Sequence, residues 1–318
     1  MPSSLIPFES LSSISTEENE FIDRYQAPAG YLPWNHFAKT IIAQKHHYDK
    51  DDPWFKNVLQ APAYYLTDEL YQSLTNTDIK LTSTPNLVNH SFFVFTSLDA
   101  GGGTEDCIAY THVVCNYVSP EDEVDGRPRM NFKADVACSA LHWKGIELTD
   151  SGVSIGQIDK SYRYDFSFNW NEINNQGEGG TFHTNGHQVK DICCPKCTEN
   201  IFHNQVSLIA NLILLMNVQP DYITREKCVQ PSRGRGFKQS TKETKVRTIN
   251  WIGKGFTRRI TTEYSPASGD NPKRSVCSHW RRGHWRTVRQ GPGRKQTKMK
   301  WIQPVFVIGN RADSSTKK

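Results

Sequence analysis

VSLIANLILLM, residues 206–216, is the longest apolar run in the chain, and it contains Asn211. Eleven residues are too few to span a bilayer. Thr198 is placed to cap a helix predicted from Glu199 to about Asn217, with Ile201, Phe202, Val206, Ile209, Leu212, Ile213 and Met216 among its apolar positions. The second half of that helix is apolar nearly all round. A helix without a polar face must be enclosed by other elements, so it belongs at the centre of a core. The fold question then becomes what the flanking sequence packs around it.

Upstream, the pattern is first helical and then extended. LPWNHFAKTIIA, residues 32–43, places Trp34, Phe37, Ile41 and Ile42 at helical spacing. DDPWFKNVL offers Asp52 as N-cap with Pro53 at the first helical position. Thr67 starts TDELYQSL, with Leu70, Tyr71 and Leu74 on one side. After Pro85 come SFFVF, CIAYTHVVCNYV, FKADVACSALHWKGI and SYRYDFSFNW, rich in β-branched and aromatic residues and separated by turn clusters. These predict several strands of an antiparallel sheet. The fold class expected is α+β: N-terminal helices, an antiparallel sheet, the central apolar helix and a basic C-terminal β-hairpin.

Charge is divided unevenly along the 318 residues. From Thr224 to Lys318 there are 24 Lys and Arg against 5 Asp and Glu, a net of +19. Residues 1–223 hold 14 against 28, a net of −14. A basic end on an acidic body points to a polyanion partner for one part of the chain. The expected organisation is a loose N-terminal arm (1–30), an acidic α+β body (31–222), a basic mobile loop (223–245) and a basic C-terminal part (246–318) packed on the body. The segment 230–245 carries Arg233, Arg235, Lys238, Lys242 and Lys245 against Glu243. The mean hydropathy of −0.62 argues against a membrane protein. The N-terminal stretch has neither a basic nor a long apolar region, so a cytoplasmic location is expected, with the eight cysteines reduced.

HWRRGHWR, residues 279–286, leads into a turn at QGPGRK and a return strand, KMKWIQPVFVIG, with Pro304 marking an edge or bulge. The two His-Trp pairs are five positions apart, so on a strand Trp280 and Trp285 point to opposite faces. One is expected in the core, leaving the other free to stack on a base. Arginine forks pair with phosphates and aromatic rings stack on unpaired bases. The expected nucleic-acid contacts are therefore Arg281, Arg282, Trp285, Arg286, Arg289, Arg294, Lys295, Lys298 and Lys300.

SHWRRGHWR, the short glycine-containing turn and KWIQPVFVIG together resemble the C-terminal signature of an anti-CRISPR family that suppresses synthesis of the type V-A effector nuclease. Its homologues are scattered over plasmids, phages and bacterial chromosomes. The likeness extends back through WIGKGF and LILLMNVQPDYIT, covering roughly Val206 to Asn310. It implies recognition of a target's N-terminal peptide during translation, followed by loss of the mRNA. The partners implied are a nascent peptide at the acidic body and RNA or ribosome at the basic end.

Two rival functions follow from the residues alone. The same hairpin as a metal-independent ribonuclease would use His279 or His284 to move protons, with the neighbouring arginines steadying phosphorane charge. A nucleic-acid-binding module without a peptide target is the other. Enzyme status stays open between these readings. Elsewhere, His183, His187, Cys194 and Cys197 would make a Cys₂His₂ zinc set, in reversed order relative to a zinc finger. Reduced thiols are the more economical reading of a lone CxxC, so no cofactor is expected and zinc binding is expected to be weak at most. DAGGGTED lacks the GK[ST] ending of a phosphate loop.

Overall fold

The computed structural model describes residues 14–43, 53–79, 91–97, 106–115, 123–124, 127–128, 136–144, 146–149, 152–155, 161–168, 183–184, 195–229, 246–262 and 278–308. The N-terminal elements are α1 (Thr16–Asp23), α2 (Trp34–Ala43), α3 (Pro53–Gln60), β1 (Ala63–Leu66), α4 (Asp68–Thr75) and β2 (Thr77–Asp78). The strand-rich middle holds β3 (Ser91–Phe95), β4 (Asp106–Cys115), β7 (Val136–Lys144), β10 (Ser161–Phe168) and β11 (His183–Thr184). Two small ribbons lie between them, β5 (Glu123–Val124) with β6 (Arg127–Pro128) and β8 (Ile146–Thr149) with β9 (Gly152–Ile155). Then follow α5 (Pro195–Val218), β12 (Ile223–Val229), β13 (Val246–Ile252), β14 (Arg259–Thr262), β15 (His279–Arg281), β16 (Gly283–Gln290), β17 (Gln296–Ile302) and β18 (Val305–Ile308).

Eight strands form the main sheet, in the order β11-β10-β7-β4-β3-β1-β13-β12. The expected antiparallel sheet is in fact mixed. β1 runs parallel to both neighbours, β3 and β13, while the other pairs in this sheet are antiparallel. The reason is β1 itself, a four-residue strand between helices that the sequence reading passed over. α4 carries the chain away before β3, and a helical crossover returns the next strand in the same direction.

The central strands are buried on both faces. In β3, Phe92 and Val94 point to one cluster with α4, α5 and the C-terminal hairpin, while Phe93 and Phe95 point to the other with α1, α2 and α3. This is why SFFVF is a continuous apolar run rather than an alternating one. α5 is enclosed as its composition requires: Ile209, Ala210, Leu212, Ile213, Leu214 and Leu215 are all buried. It begins at Pro195, earlier than Glu199, because proline suits the first turn of a helix. Among the described residues no helix is long and apolar enough to cross a membrane.

Part of the expected loose arm is ordered. Ser15 and Glu18 form a reciprocal capping box at α1, with the Ser15 hydroxyl accepting from the Glu18 amide at 3.2 Å and the Glu18 carboxylate accepting from the Ser15 amide at 2.7 Å. Phe21 is fully buried, and its carbonyl accepts from the Trp34 indole at 2.9 Å. Ser15→Ala should therefore cost about 1 kcal/mol of stability, read as a lower urea midpoint with an unchanged slope.

The charge boundary does not divide the fold. Ile223–Val229, expected to begin a mobile loop, is edge strand β12, and it pairs along its length with β13. The basic C-terminal part thus supplies a strand to the same sheet as the acidic body, with Tyr65 of β1 opposite Trp251 of β13. Gln230–Lys245 lies outside the described residues.

Candidate nucleic-acid interface

HWRRGHWR and KMKWIQPVFVIG pair as one long hairpin, but not as one ladder. β15 pairs with β18, and β16 pairs with β17, each antiparallel. The register is the same in both halves: Arg281 lies opposite Val305, and His284 opposite Ile302. The expected continuous strands are interrupted at Arg282 and at Gln303–Pro304, which the register places across from each other. Proline has no amide hydrogen to give the ladder. The halves then join different sheets, β14-β18-β15 and β17-β16-β2.

What secures the hairpin is a buried polar network that begins at Asn211. Its amide nitrogen donates to the carbonyls of Leu74 at 3.0 Å and Thr77 at 3.1 Å, and its carbonyl accepts from the Trp285 indole at 2.7 Å. Thr77 continues the network. Its hydroxyl accepts from the Trp301 indole at 3.1 Å and donates to the Ser73 carbonyl at 2.8 Å. Trp285 and Trp301 lie opposite each other across the ladder with near-parallel rings. Phe256 stacks on Trp301, Tyr222 meets it edge-on, and Gln303 donates to the Tyr222 hydroxyl at 2.8 Å.

These contacts bring LILLMNVQPDYIT, WIGKGF and the hairpin together at one place. Much of what makes the signature distinctive is the packing that docks the hairpin on α5. Sequence reasoning noted Asn211 only as an interruption. The usable signal was an amide side chain at the centre of a helix apolar nearly all round, which must find partners. The approach is also tight at Gly283, whose amide donates to the Asn76 carbonyl at 3.0 Å. A Cβ there would stand 2.6 Å from the Thr77 hydroxyl and 2.7 Å from Pro304 Cδ. Gly283→Ala should cost about 1–3 kcal/mol by overpacking, measured by urea denaturation.

The two tryptophans do face opposite ways, and the core takes Trp285. It is 5% exposed, so the base contact expected of Trp285 is corrected: no ring face is open to a ligand. Trp280 is the outward one, partly buried against Phe306 with ring centroids 5.1 Å apart. The cationic candidates are all exposed. By alternation and cross-strand register, His284 and Arg286 of β16 share the outer face with Lys298 and Lys300 of β17. Arg286 is directly opposite Lys300. Neither strand contains a carboxylate. Like charges opposed across a ladder repel each other.

The other candidates are placed differently. Arg282 forms an ion pair with Asp78 of β2 at 2.6 Å. Arg289 is on the alternate side of β16, opposite Thr297. Arg294 and Lys295 belong to the turn, where Arg294 takes a left-handed φ of 54°. His279 and His284, the candidate proton carriers, fall in different sheets. His183 lies in β11, and Cys197 in the first turn of α5. His187 and Cys194 lie outside the described residues, among which no three His, Cys, Asp or Glu side chains gather as a metal site.

Searches of curated proteins and of solved structures each return no match. Residues 64–309 match the AcrVA2-like family, anti-CRISPR type V subtype A2, a span that runs from β1 past the end of β18 and includes the whole hairpin and its docking network. The chain therefore belongs to the AcrVA2-like anti-CRISPR family.

Proposed function

We propose that this anti-CRISPR-like protein represses its target during synthesis, recognising a nascent N-terminal peptide with its acidic body and contacting RNA, free or ribosomal, through the outer face of the β16–β17 hairpin, so that the mRNA is lost. The observation that carries the RNA contact is the opposition of Arg286 and Lys300, with His284 and Lys298 beside them and no carboxylate on either strand. A fold that tolerates that repulsion in isolation gains when phosphates neutralise it. Family membership supports the anti-CRISPR role. The net of −14 over residues 1–223 supports a separate partner for the body.

A reporter mRNA encoding the N-terminus of a type V-A effector nuclease tests both halves. Its half-life should shorten when the wild-type protein is present. Synonymous recoding, which changes RNA and keeps the peptide, should preserve the effect, and a compensated frameshift, which changes the peptide, should abolish it. Arg286→Ala/Lys300→Ala should lose the effect while still folding. mRNA loss that survives the frameshift would remove the peptide from the mechanism. mRNA loss that survives the double alanine variant would remove the hairpin face.

A further inference from the structure

The outer face of the hairpin does not end at Arg286 and Lys300. Beyond the break it continues along β15 and β18, where the unbroken register sets Trp280 opposite Phe306. In β14, Ile260 is the register partner of Phe306 on its other side, and Ile308 lies two positions along β18. Ile260 is 64% exposed and Ile308 42%, among the few large apolar side chains so open to solvent in the described residues. Val307, with the opposite alternation, is completely buried. The face opposite Val307 thus presents two partly buried aromatic rings and two exposed isoleucines.

The surroundings of that face select among occupants. β14, β15 and β18 contain no Asp or Glu. Arg259 and Arg281 flank Val305 on the opposite face of this sheet, and Arg282, next along the chain, is paired with Asp78. One ladder face thus passes from aromatic and aliphatic groups, past the Arg282–Asp78 pair, to the cations Arg286, Lys298 and Lys300. A regular duplex has its bases stacked inside and presents phosphates, so it has no use for the aromatic end. A single strand uses both, with bases on rings and phosphates on cations.

We infer that the Trp280–Phe306 face is a stacking platform for unpaired bases, which makes the RNA bound by the hairpin single-stranded. The inference rests on the proposed RNA contact and narrows it to a class of RNA.

The test uses the full chain, an unstructured oligo(U) of about 12 nucleotides and an RNA duplex of the same length. Trp280→Leu keeps apolar bulk and removes the larger aromatic surface, while Trp280→Phe keeps a ring. Oligo(U) affinity should fall roughly tenfold or more in Trp280→Leu. It should be largely retained in Trp280→Phe, and duplex affinity should change in neither. Ile260→Ser, at a site too exposed to hold the fold together, should lower oligo(U) affinity without changing stability. Arg286→Ala/Lys300→Ala should weaken both RNAs.

If Trp280→Leu and Ile260→Ser bind oligo(U) like wild type while the double alanine variant is weakened, the platform is wrong and the phosphate contact stands. That result overturns the inference whether the face then proves to bind protein or nothing. If the wild-type chain binds neither RNA, the underlying reading fails as well. A Trp280→Leu loss accompanied by an equal loss for the duplex, or by a lowered urea midpoint with Ile260→Ser normal, would mark a structural role and also overturn it.

Discussion

Asn211→Leu should destabilise the protein by roughly 2–6 kcal/mol, because it strands two buried groups and each unsatisfied group costs about 1–3 kcal/mol. The groups are the indole N–H of Trp285 and the carbonyl of Thr77, while the Leu74 carbonyl keeps its bond from the Asn76 amide. Asn211 itself is fully buried, so water cannot replace it without opening the core. Leucine is close in size, which makes the loss polar rather than steric. Against a total of about 5–15 kcal/mol for a native domain, such a loss removes a large part of the stability. Trp285→Phe alone should cost less, since it deletes the indole N–H together with its need for a partner. The two changes share one hydrogen bond, so the double variant should be less destabilised than the sum of the singles. Urea denaturation of the four proteins measures this. Strict additivity would mean that Asn211 and Trp285 do not act as a pair.

Arg286→Glu should move stability and binding in opposite directions. With Lys300 directly across the ladder, the substitution turns a like-charge pair into an opposite-charge pair, a gain of about 0.2–1 kcal/mol. For RNA the same change replaces attraction by repulsion at one contact. At about 1 kcal/mol for each sign in water, this amounts to roughly 2 kcal/mol, or about thirtyfold in affinity at low salt. A residue that serves only the fold would not behave this way, since its loss would lower stability and leave the RNA affinity of the folded chain unchanged. Thermal melts and RNA titrations on one preparation give both signs. A drop in stability together with unchanged RNA affinity would assign Arg286 to the fold.

The helices were legible where local chemistry sets them. Trp34, Phe37, Ile41 and Ile42 are spaced for one helix face, and Pro53 opens α3. Thr67 takes the extended N-cap conformation ahead of α4, although its hydroxyl donates to the Gly253 carbonyl at 3.3 Å instead of capping the helix. The apolar run at 206–216 also behaved as read, as an enclosed helix. The failures have a common physical source in partners distant along the chain. The parallel pairing of β1 depends on β13, whose Ile252 is opposite Leu66, and no local pattern carries that. β12 reads as a polar stretch because an edge strand on a solvated rim needs little apolar content, and charges there discourage unwanted pairing. α1 is the exception, since Ser15 and Glu18 have capping-box spacing, a local signal set in a weakly patterned stretch.

At the candidate interface the alternation of Trp280 and Trp285 was readable from their odd spacing. Which of them the core would take was not. That choice depends on Asn211 lying within reach of Trp285, a contact across 74 positions of sequence. The break at Arg282 was equally hidden. It arises where Gly283 packs against Thr77 and Pro304 and lets β2 join the ladder beside β16. The exposed cations were all identifiable from the sequence. Their division into an outer strip, an Asp78-paired arginine and a turn required the register.

The most direct measurement is a salt series of RNA affinity for the wild-type chain and Arg286→Ala/Lys300→Ala. Each phosphate contact on a single strand contributes about 0.7 to the slope of log affinity against log salt, so the double variant should be weaker at low salt and flatter by roughly 1.4. Its urea midpoint should be unchanged or slightly raised. Parallel lines of equal affinity would contradict the account, because the outer face of the hairpin would then carry no phosphate.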